Sequence, residues 1–459
     1  MRVAYLGADY HGFAAQLNEK NVPINTVEHQ LFQAMVKVCL IKDMDSCGYS
    51  RCGRTDMGVS ALGQVVGVWF RSKQAKEKGN DDAASSKDVR PLLSPLDELN
   101  YAAMLNRVLP PTIRILGWSD VPDHFNARFS CSYRMYRYYF PKRMLDIGSM
   151  RKAGEKLLGL HDFRNFCKMD VVNVRNFERT LLRFAIRPVD GDASPDEKHS
   201  GPDTMYYFEF KGTAFLWHQV RMMVGVLFLV GAGRETPEMV DWLLDVKANS
   251  RQPHYDMASE LPLVLYDCGF HETRFNYNLR EAQDIANTLE GLWHRWAIQA
   301  TLSKIFIGGL VESLKAICVG EGEEASARSA SAVEAGADDM STTFGTQGTL
   351  CTSAGRGSGC VNVPVEGAFP GIEPRVCDFR CIVGRKAAKN WVKLSQRQTA
   401  GSYEERVAAL NGRRAAARAW HDDMRAKAAA GELGDAGNSK EAAIAGLKES
   451  MAVAATAKK

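Results

Sequence analysis

Phe129-Ser-Cys-Ser-Tyr-Arg-Met-Tyr-Arg-Tyr-Tyr-Phe140 is an unbroken run of rings, Ser and Arg, with neither Gly nor Pro before Pro141. Side chains of this kind fit a pleated surface, and the run predicts a long strand. Alternation places Ser132, Arg134, Tyr136 and Tyr138 on one face, and Cys131, Tyr133, Met135, Arg137 and Tyr139 on the other. The first face, with Lys142 and Arg143 just beyond it, interleaves cations with rings. Single-stranded or splayed RNA needs that mixture, because its phosphates meet cations while its bases stack on aromatics. An amphipathic strand in an ordinary sheet accounts for the same pattern.

Working outward, Asn25 and Glu28 read as a capping pair for a helix whose apolar positions are Val27, Leu31, Met35 and Val38. Residues 64–70 and 205–211 read as strands, and 261–270 as a buried one. Between the last two, an apolar helix is expected over 215–230, then another capped by Thr236 with Pro237 at its first position. Strands and helices mixed in this order predict an α+β or α/β catalytic unit over residues 1–272, in parts of about 1–125 and 126–272.

Residues 279–306 are helical by pattern, with Ile285, Leu289, Leu292 and Trp296 on one stripe, and make an accessory segment over 273–320. Residues 72–87 read as a solvated loop. From 321 to 375 the chain is Ala, Ser, Gly and Thr with few large apolars, too little to offset the entropy of ordering, so disorder is expected. A C-terminal extension, 376–459, ends in an Ala, Lys and Arg rich tail, helical or disordered.

Composition sets limits. A net charge of +4 permits binding to a polyanion without requiring it, and a hydrophobic fraction of 45% supplies real cores. Residues 222–233 form the longest apolar stretch, short of the roughly 20 needed to cross a bilayer, so no membrane association is expected. A strand-like 3–6 follows Met1 closely, and no targeting segment is expected; nucleus, cytoplasm or mitochondrion all remain open as compartments. The eleven cysteines show no disulfide-framework spacing. Cys377 and Cys381, with Cys351 and Cys360 upstream, raise a zinc question, but their irregular spacing argues against it and no metal is expected.

Two further clusters carry candidate chemistry. Arg51-Cys-Gly-Arg54-Thr-Asp56-Met-Gly-Val-Ser60 sets two arginines and two glycines around one carboxylate, allowing close backbone approach to a ligand. Such a turn is often just a surface ion pair. In Gly212-Thr-Ala-Phe-Leu-Trp-His218-Gln-Val-Arg221, an arginine opens an otherwise apolar helix and needs a carboxylate to offset its burial, Asp56 being the candidate. His218, three residues earlier, is expected on the same helical side as Arg221.

Tyr5-Leu-Gly-Ala-Asp-Tyr-His-Gly-Phe13, Gly53-Arg-Thr-Asp-Met-Gly-Val-Ser60, Phe125-Asn-Ala-Arg-Phe-Ser130, Tyr136-Arg-Tyr138 and Phe215-Leu-Trp-His-Gln-Val-Arg221 occur here in that order. Together they resemble the TruA-type tRNA pseudouridine synthases. His161-Asp-Phe-Arg-Asn-Phe-Cys-Lys-Met-Asp170, Leu261-Pro-Leu-Val-Leu-Tyr-Asp-Cys268 and Ser402-Tyr-Glu-Glu-Arg406 are similar to the eukaryotic branch acting at tRNA positions 38 and 39. The resemblance implies an α+β fold, a mixed and mainly antiparallel sheet flanked by helices, with a central RNA-binding cleft.

It further implies a cofactor-free isomerase acting on the tRNA anticodon arm, as a homodimer. Asp56 matches the nucleophile, Tyr136 the ring contacting the target base, Arg221 the arginine paired with the aspartate, and Arg54 the arginine assisting base extrusion. Arg51, Arg134 and His218 join the expected substrate-binding set. Phe13 stands where the family usually has Trp, Trp217 sits before Arg221, and the branch's basic N-terminal extension is absent, which touches initial tRNA affinity or targeting rather than chemistry. Rival readings are a synthase of the same superfamily acting at other tRNA positions, and a non-catalytic tRNA-binding factor.

Overall fold

The computed structural model describes residues 1–73, 98–189, 204–271, 273–332 and 391–429. In chain order its strands are β1 (Arg2–Tyr5), β2 (Ser50–Arg51), β3 (Ser60–Gly67), β4 (Ile113–Gly117), β5 (Tyr133–Pro141), β6 (Gly159–Asp162), β7 (Glu178–Pro188), β8 (Met205–Gly212) and β9 (Leu263–Gly269). The helices are α1 (Val27–Lys37), α2 (Tyr101–Asn106), α3 (Ile147–Glu155), α4 (Gln219–Gly231), α5 (Met239–Leu244), α6 (Leu279–Ala332) and α7 (Tyr403–Ala429). Mixed, mostly antiparallel pairing with flanking helices matches the expected α+β class.

The chain divides into two compact units. The first comprises Met1–Arg143, Pro188–Tyr207 and Ser259–Phe379, the second Met144–Arg187, Phe208–Ala258 and Arg380–Lys459. In the first unit the sheet runs β4-β1-β3-β9-β5, with β2 paired to β3. β3 and β9 are parallel, whereas β1, β2, β4 and β5 pair antiparallel with their neighbours. Its core gathers Val3, Phe13, Leu31, Met35, Val66, Ile113 and Leu265, all fully buried. In the second unit β7 lies between β8 and β6, and α4 is almost wholly buried, with α3 packed against it.

Several local expectations shift. The α1 cap is Thr26, whose hydroxyl accepts from the His29 N–H, not Asn25. Glu28 is instead 2% exposed and turned to other partners, while Asn25 bonds Gln30 and the Asp9 carbonyl. β3 begins at Ser60, four residues earlier than read, because pairing with β1 and β9 extends it over small residues that hydropathy alone does not mark. β5 begins at Tyr133: Asn126 accepts from the backbone N–H groups of Arg128 and Phe129, folding the preceding residues into a turn that leaves Phe129 exposed.

α4 starts at Gln219, not Phe215. His218 sits in the left-handed region at φ 62°, a conformation that prevents the helix from extending backward. Hence His218 and Arg221 do not share a helical face. α5 starts at Met239 after a turn in which the Met239 N–H bonds the Thr236 carbonyl, so Pro237 precedes rather than opens it. α6 runs on past 306 to Ala332, beyond the expected accessory segment. Ile285 is buried on its stripe while Leu289 and Trp296 remain exposed. The loop over 74–87, the low-complexity stretch from 333, the four distal cysteines and the tail from 430 lie outside the described residues. No helix among the described residues is long and apolar enough to cross a membrane.

Candidate active site

Asp56 sits on the turn between β2 and β3, and the first unit holds that turn from several sides. Cys52 N–H donates to the Val65 carbonyl at 2.8 Å. The fully buried Gln64 amide donates to the Gly53 carbonyl at 2.8 Å and accepts from the Gly53 N–H at 3.2 Å. The Tyr5 and Thr55 hydroxyls are 2.8 Å apart, and Ser60 Oγ accepts from the Gly7 N–H at 2.9 Å. Asp56 itself closes the turn, its carbonyl accepting from the Val59 N–H at 3.2 Å.

The stretch from Tyr5 to Phe13 is the clamp. Phe13 N–H donates to the Thr55 carbonyl at 3.1 Å and Gly58 N–H to the Tyr10 carbonyl at 3.1 Å. On its other side the same stretch satisfies the start of α1, whose Val27 and Glu28 N–H groups bond the Gly12 and Phe13 carbonyls. Phe13 is fully buried against Tyr5, with ring centroids 5.7 Å apart, so a phenyl ring fills the place where the family usually has the larger indole. The first two sequence boxes are thus one device, a backbone cradle for one carboxylate.

The remaining predicted residues of this unit take distinct places. Arg54 is exposed beside Asp56. Arg51 grips the buried Glu28 carboxylate through Nη1 at 2.5 and 2.6 Å, and Glu28 Oε2 also accepts from the Ala15 N–H at 2.7 Å. Any contact of Arg51 with a substrate competes with that pair. Arg51→Ala leaves a buried carboxylate without its cation and is expected to cost about 2 kcal/mol, reduced from the full buried-pair value because Arg51 is a quarter exposed. Guanidinium unfolding measures it, and an unchanged midpoint would count against the assignment.

The Arg134, Tyr136 and Tyr138 face of β5 is turned to the interior. Tyr138 is 2% exposed. Tyr136 packs half-buried on the core, and its burial pushes the phenol pKa up. Arg134 Nη2 donates to the carbonyls of Cys52 at 3.0 Å and Arg128 at 2.8 Å, tying β5 to both the Asp56 turn and the Asn126 turn. Of the two readings the sequence leaves open for this face, the burial of Tyr138 agrees with an amphipathic strand in a sheet, while Arg134 and Tyr136 stay half-buried. On the opposite face Arg137 lies over the rings of Tyr266 at 3.6 Å and Tyr207 at 4.5 Å. Pairing with β9 slips between Met135 and Tyr136, a bulge that re-aims side chains beside the Asp56 turn.

The second unit holds Arg221 and His218. Arg221 is 7% exposed in the first turn of α4, its Nε donating to the Ala258 carbonyl at 2.8 Å. Gln219 locks that helix start, its Oε1 accepting from the Leu216 N–H at 2.8 Å. Trp217 is about half exposed, with Lys168 Nζ 4.2 Å from its ring centroid and the Lys168 N–H on its carbonyl at 3.0 Å. Sequence reasoning singled out neither as a functional residue, although each stood in a quoted box. Ser402 and Glu405 form a reciprocal cap on α7, and Glu404 reaches Arg164 at 3.6 Å, seating the C-terminal box on the second unit.

The site is thus one carboxylate cradled on a glycine-rich turn of a mixed sheet, with Arg54 exposed beside it. The family described as tRNA pseudouridine synthase matches residues 153–271. The chain is 44% identical over 312 residues to the tRNA pseudouridine(38/39) synthase of Homo sapiens, covering 68% of this chain and 63% of that protein. It is 41% identical over 276 residues to the tRNA pseudouridine(38/39) synthase of Saccharomyces cerevisiae, covering 59% and 57%. To the probable tRNA pseudouridine synthase tag-124 of Caenorhabditis elegans it is 36% identical over 308 residues, covering 66% and 74%. The chain belongs to the TruA-type tRNA pseudouridine synthase family, in its eukaryotic branch. It spans a little over three-fifths of the length of the first curated relatives it matches.

Proposed function

We propose that this protein isomerises uridine to pseudouridine in the tRNA anticodon arm, at positions 38 and 39, without a cofactor and as a homodimer. The observation that carries the reading is the cradle fixing Asp56, since a binding protein has no use for a carboxylate positioned by this many backbone contacts. The names of the human and yeast relatives support the positions.

The reaction breaks N1–C1′, forms C5–C1′, removes a proton from C5 and returns one to N1. The target uridine leaves its stack at a cost of a few kcal/mol, offset by stacking and phosphate contacts. Arg54, exposed next to Asp56, meets the phosphate backbone of the extruded nucleotide. Asp56 acts on the sugar, as nucleophile at C1′ or as base at C2′.

Tyr136 offers its ring to the uracil. Burial pushes its phenol pKa up, which suits the hydroxyl to donating a hydrogen bond.

The test uses the full chain with anticodon-arm and whole-tRNA transcripts carrying uridine at 38, 39 or neither. Product is mapped at nucleotide resolution, and release of the C5 proton is followed from tritiated uridine. Pseudouridine at 38 and 39 is expected. Product confined to other positions would move the protein to another branch, and binding without product would leave a tRNA-binding factor.

A further inference from the structure

Below the Asp56 turn, three cysteines far apart in sequence converge from three elements of the first unit. Cys52 follows β2, Cys131 precedes β5 and Cys268 lies in β9, and their sulfurs all lie within 4.8 Å of one another. Cys52 and Cys268 are buried and Cys131 is half-buried, and none is in a disulfide. Thiols often pack as small apolar groups; here three sulfurs, from the end of β2, the approach to β5 and β9 itself, meet at one point. Zinc–sulfur bonds of about 2.3 Å set tetrahedral sulfur pairs about 3.8 Å apart, so metal-ligand spacing asks for a contraction of about 1 Å at most. Arg134 borders the group, bonded to the Cys52 carbonyl at 3.0 Å.

We propose that Cys52, Cys131 and Cys268 form a three-thiolate site for a thiophilic closed-shell cation, zinc or cuprous copper, which fastens β5 and β9 to the start of the Asp56 turn. With zinc, three thiols lose three protons to solvent and a complex of charge −1 forms, which the Arg134 guanidinium balances. A water on the half-buried Cys131 side completes four-coordination; a cuprous ion needs only the three sulfurs. The ion touches no reacting atom, so its part is to hold the turn that carries Asp56.

The experiment uses the full chain carrying Cys351→Ser, Cys360→Ser, Cys377→Ser and Cys381→Ser, so that only the folded-unit thiols report. Reduced, chelator-stripped protein is titrated with zinc, with cobalt(II) as a spectroscopic reporter, with cuprous ion in a second arm, and with magnesium as the hard-cation control. Expected are one equivalent of zinc or cuprous ion, thiolate-to-cobalt charge-transfer absorption, tighter binding as pH rises, no response to magnesium, and a melting temperature that rises with metal. Cys268→Ala and, at the half-exposed position where folding is least at risk, Cys131→Ser should each abolish the charge-transfer band and the melting shift. No stoichiometric binding of any thiophilic ion overturns the proposal. So does binding that survives both variants, or quantitative disulfide formation between two of the three in place of metal uptake.

Discussion

Asp56→Asn is expected to lower single-turnover pseudouridine formation by at least about 10⁴-fold, roughly 5 kcal/mol of transition-state stabilisation, while leaving tRNA affinity within a few-fold. The split follows from the geometry. Contacts that shape the turn come from Tyr5, Tyr10, Phe13, Gln64 and Ser60, and the backbone carbonyl of residue 56 accepts from Val59. An amide of the same shape keeps those contacts and removes the negative charge proposed to act on the ribose. Affinity for a polyanion does not depend on a negative charge, so it should hold or improve slightly. Tritium release from C5 measures the first quantity and filter binding the second. A variant that retains a tenth of the wild-type rate would show that another group does the chemistry.

The sequence made the class legible because each box carries its own local physics. The glycines of 53–60 and the ring-rich run of β5 announce a ligand-approaching turn and a strand regardless of what surrounds them. Tertiary pairing was not legible. Arg51 and Arg134 look alike on paper as phosphate-binding cations, but one is neutralised by the buried Glu28, 23 positions away, and the other is bound to backbone carbonyls. His218 seemed to belong to a helix because its neighbours are apolar; its φ of 62° shows that the chain turns there instead. The cysteine question has the same root. In sequence the question arises only at Cys351, Cys360, Cys377 and Cys381, whereas Cys52, Cys131 and Cys268 meet because β5 and β9 pair beside the end of β2. The N-terminal box was read as a family marker, and nothing short of the fold shows it to be the other half of the Asp56 cradle.

That cradle gives the second large effect. Gly12→Ala should cost about 3 kcal/mol of stability and, beyond this, lower turnover by about 10²-fold in protein that is still folded. Gly12 lies at φ +94°, where an L side chain is strained by about 1–3 kcal/mol, and a Cβ there would stand 2.9 Å from the Thr55 carbonyl oxygen and 3.3 Å from the Asp56 carbonyl carbon. Neither neighbour is a flexible side-chain end, so the backbone of the Asp56 turn has to move. The opposite side cannot give way, because the Gly12 carbonyl is bonded to the Val27 N–H at the start of α1. A displacement near 1 Å of a reacting group is enough for such a loss of rate. Gly233→Ala supplies the contrast: its φ is +66°, yet nothing lies within 4 Å of the added carbon, so about 1 kcal/mol of strain and unchanged turnover are expected. Chemical denaturation of the two variants, read beside their single-turnover rates at a temperature where both are folded, separates the effects. If Gly12→Ala loses no more activity than Gly233→Ala, the N-terminal stretch is a packing element and does not position the carboxylate.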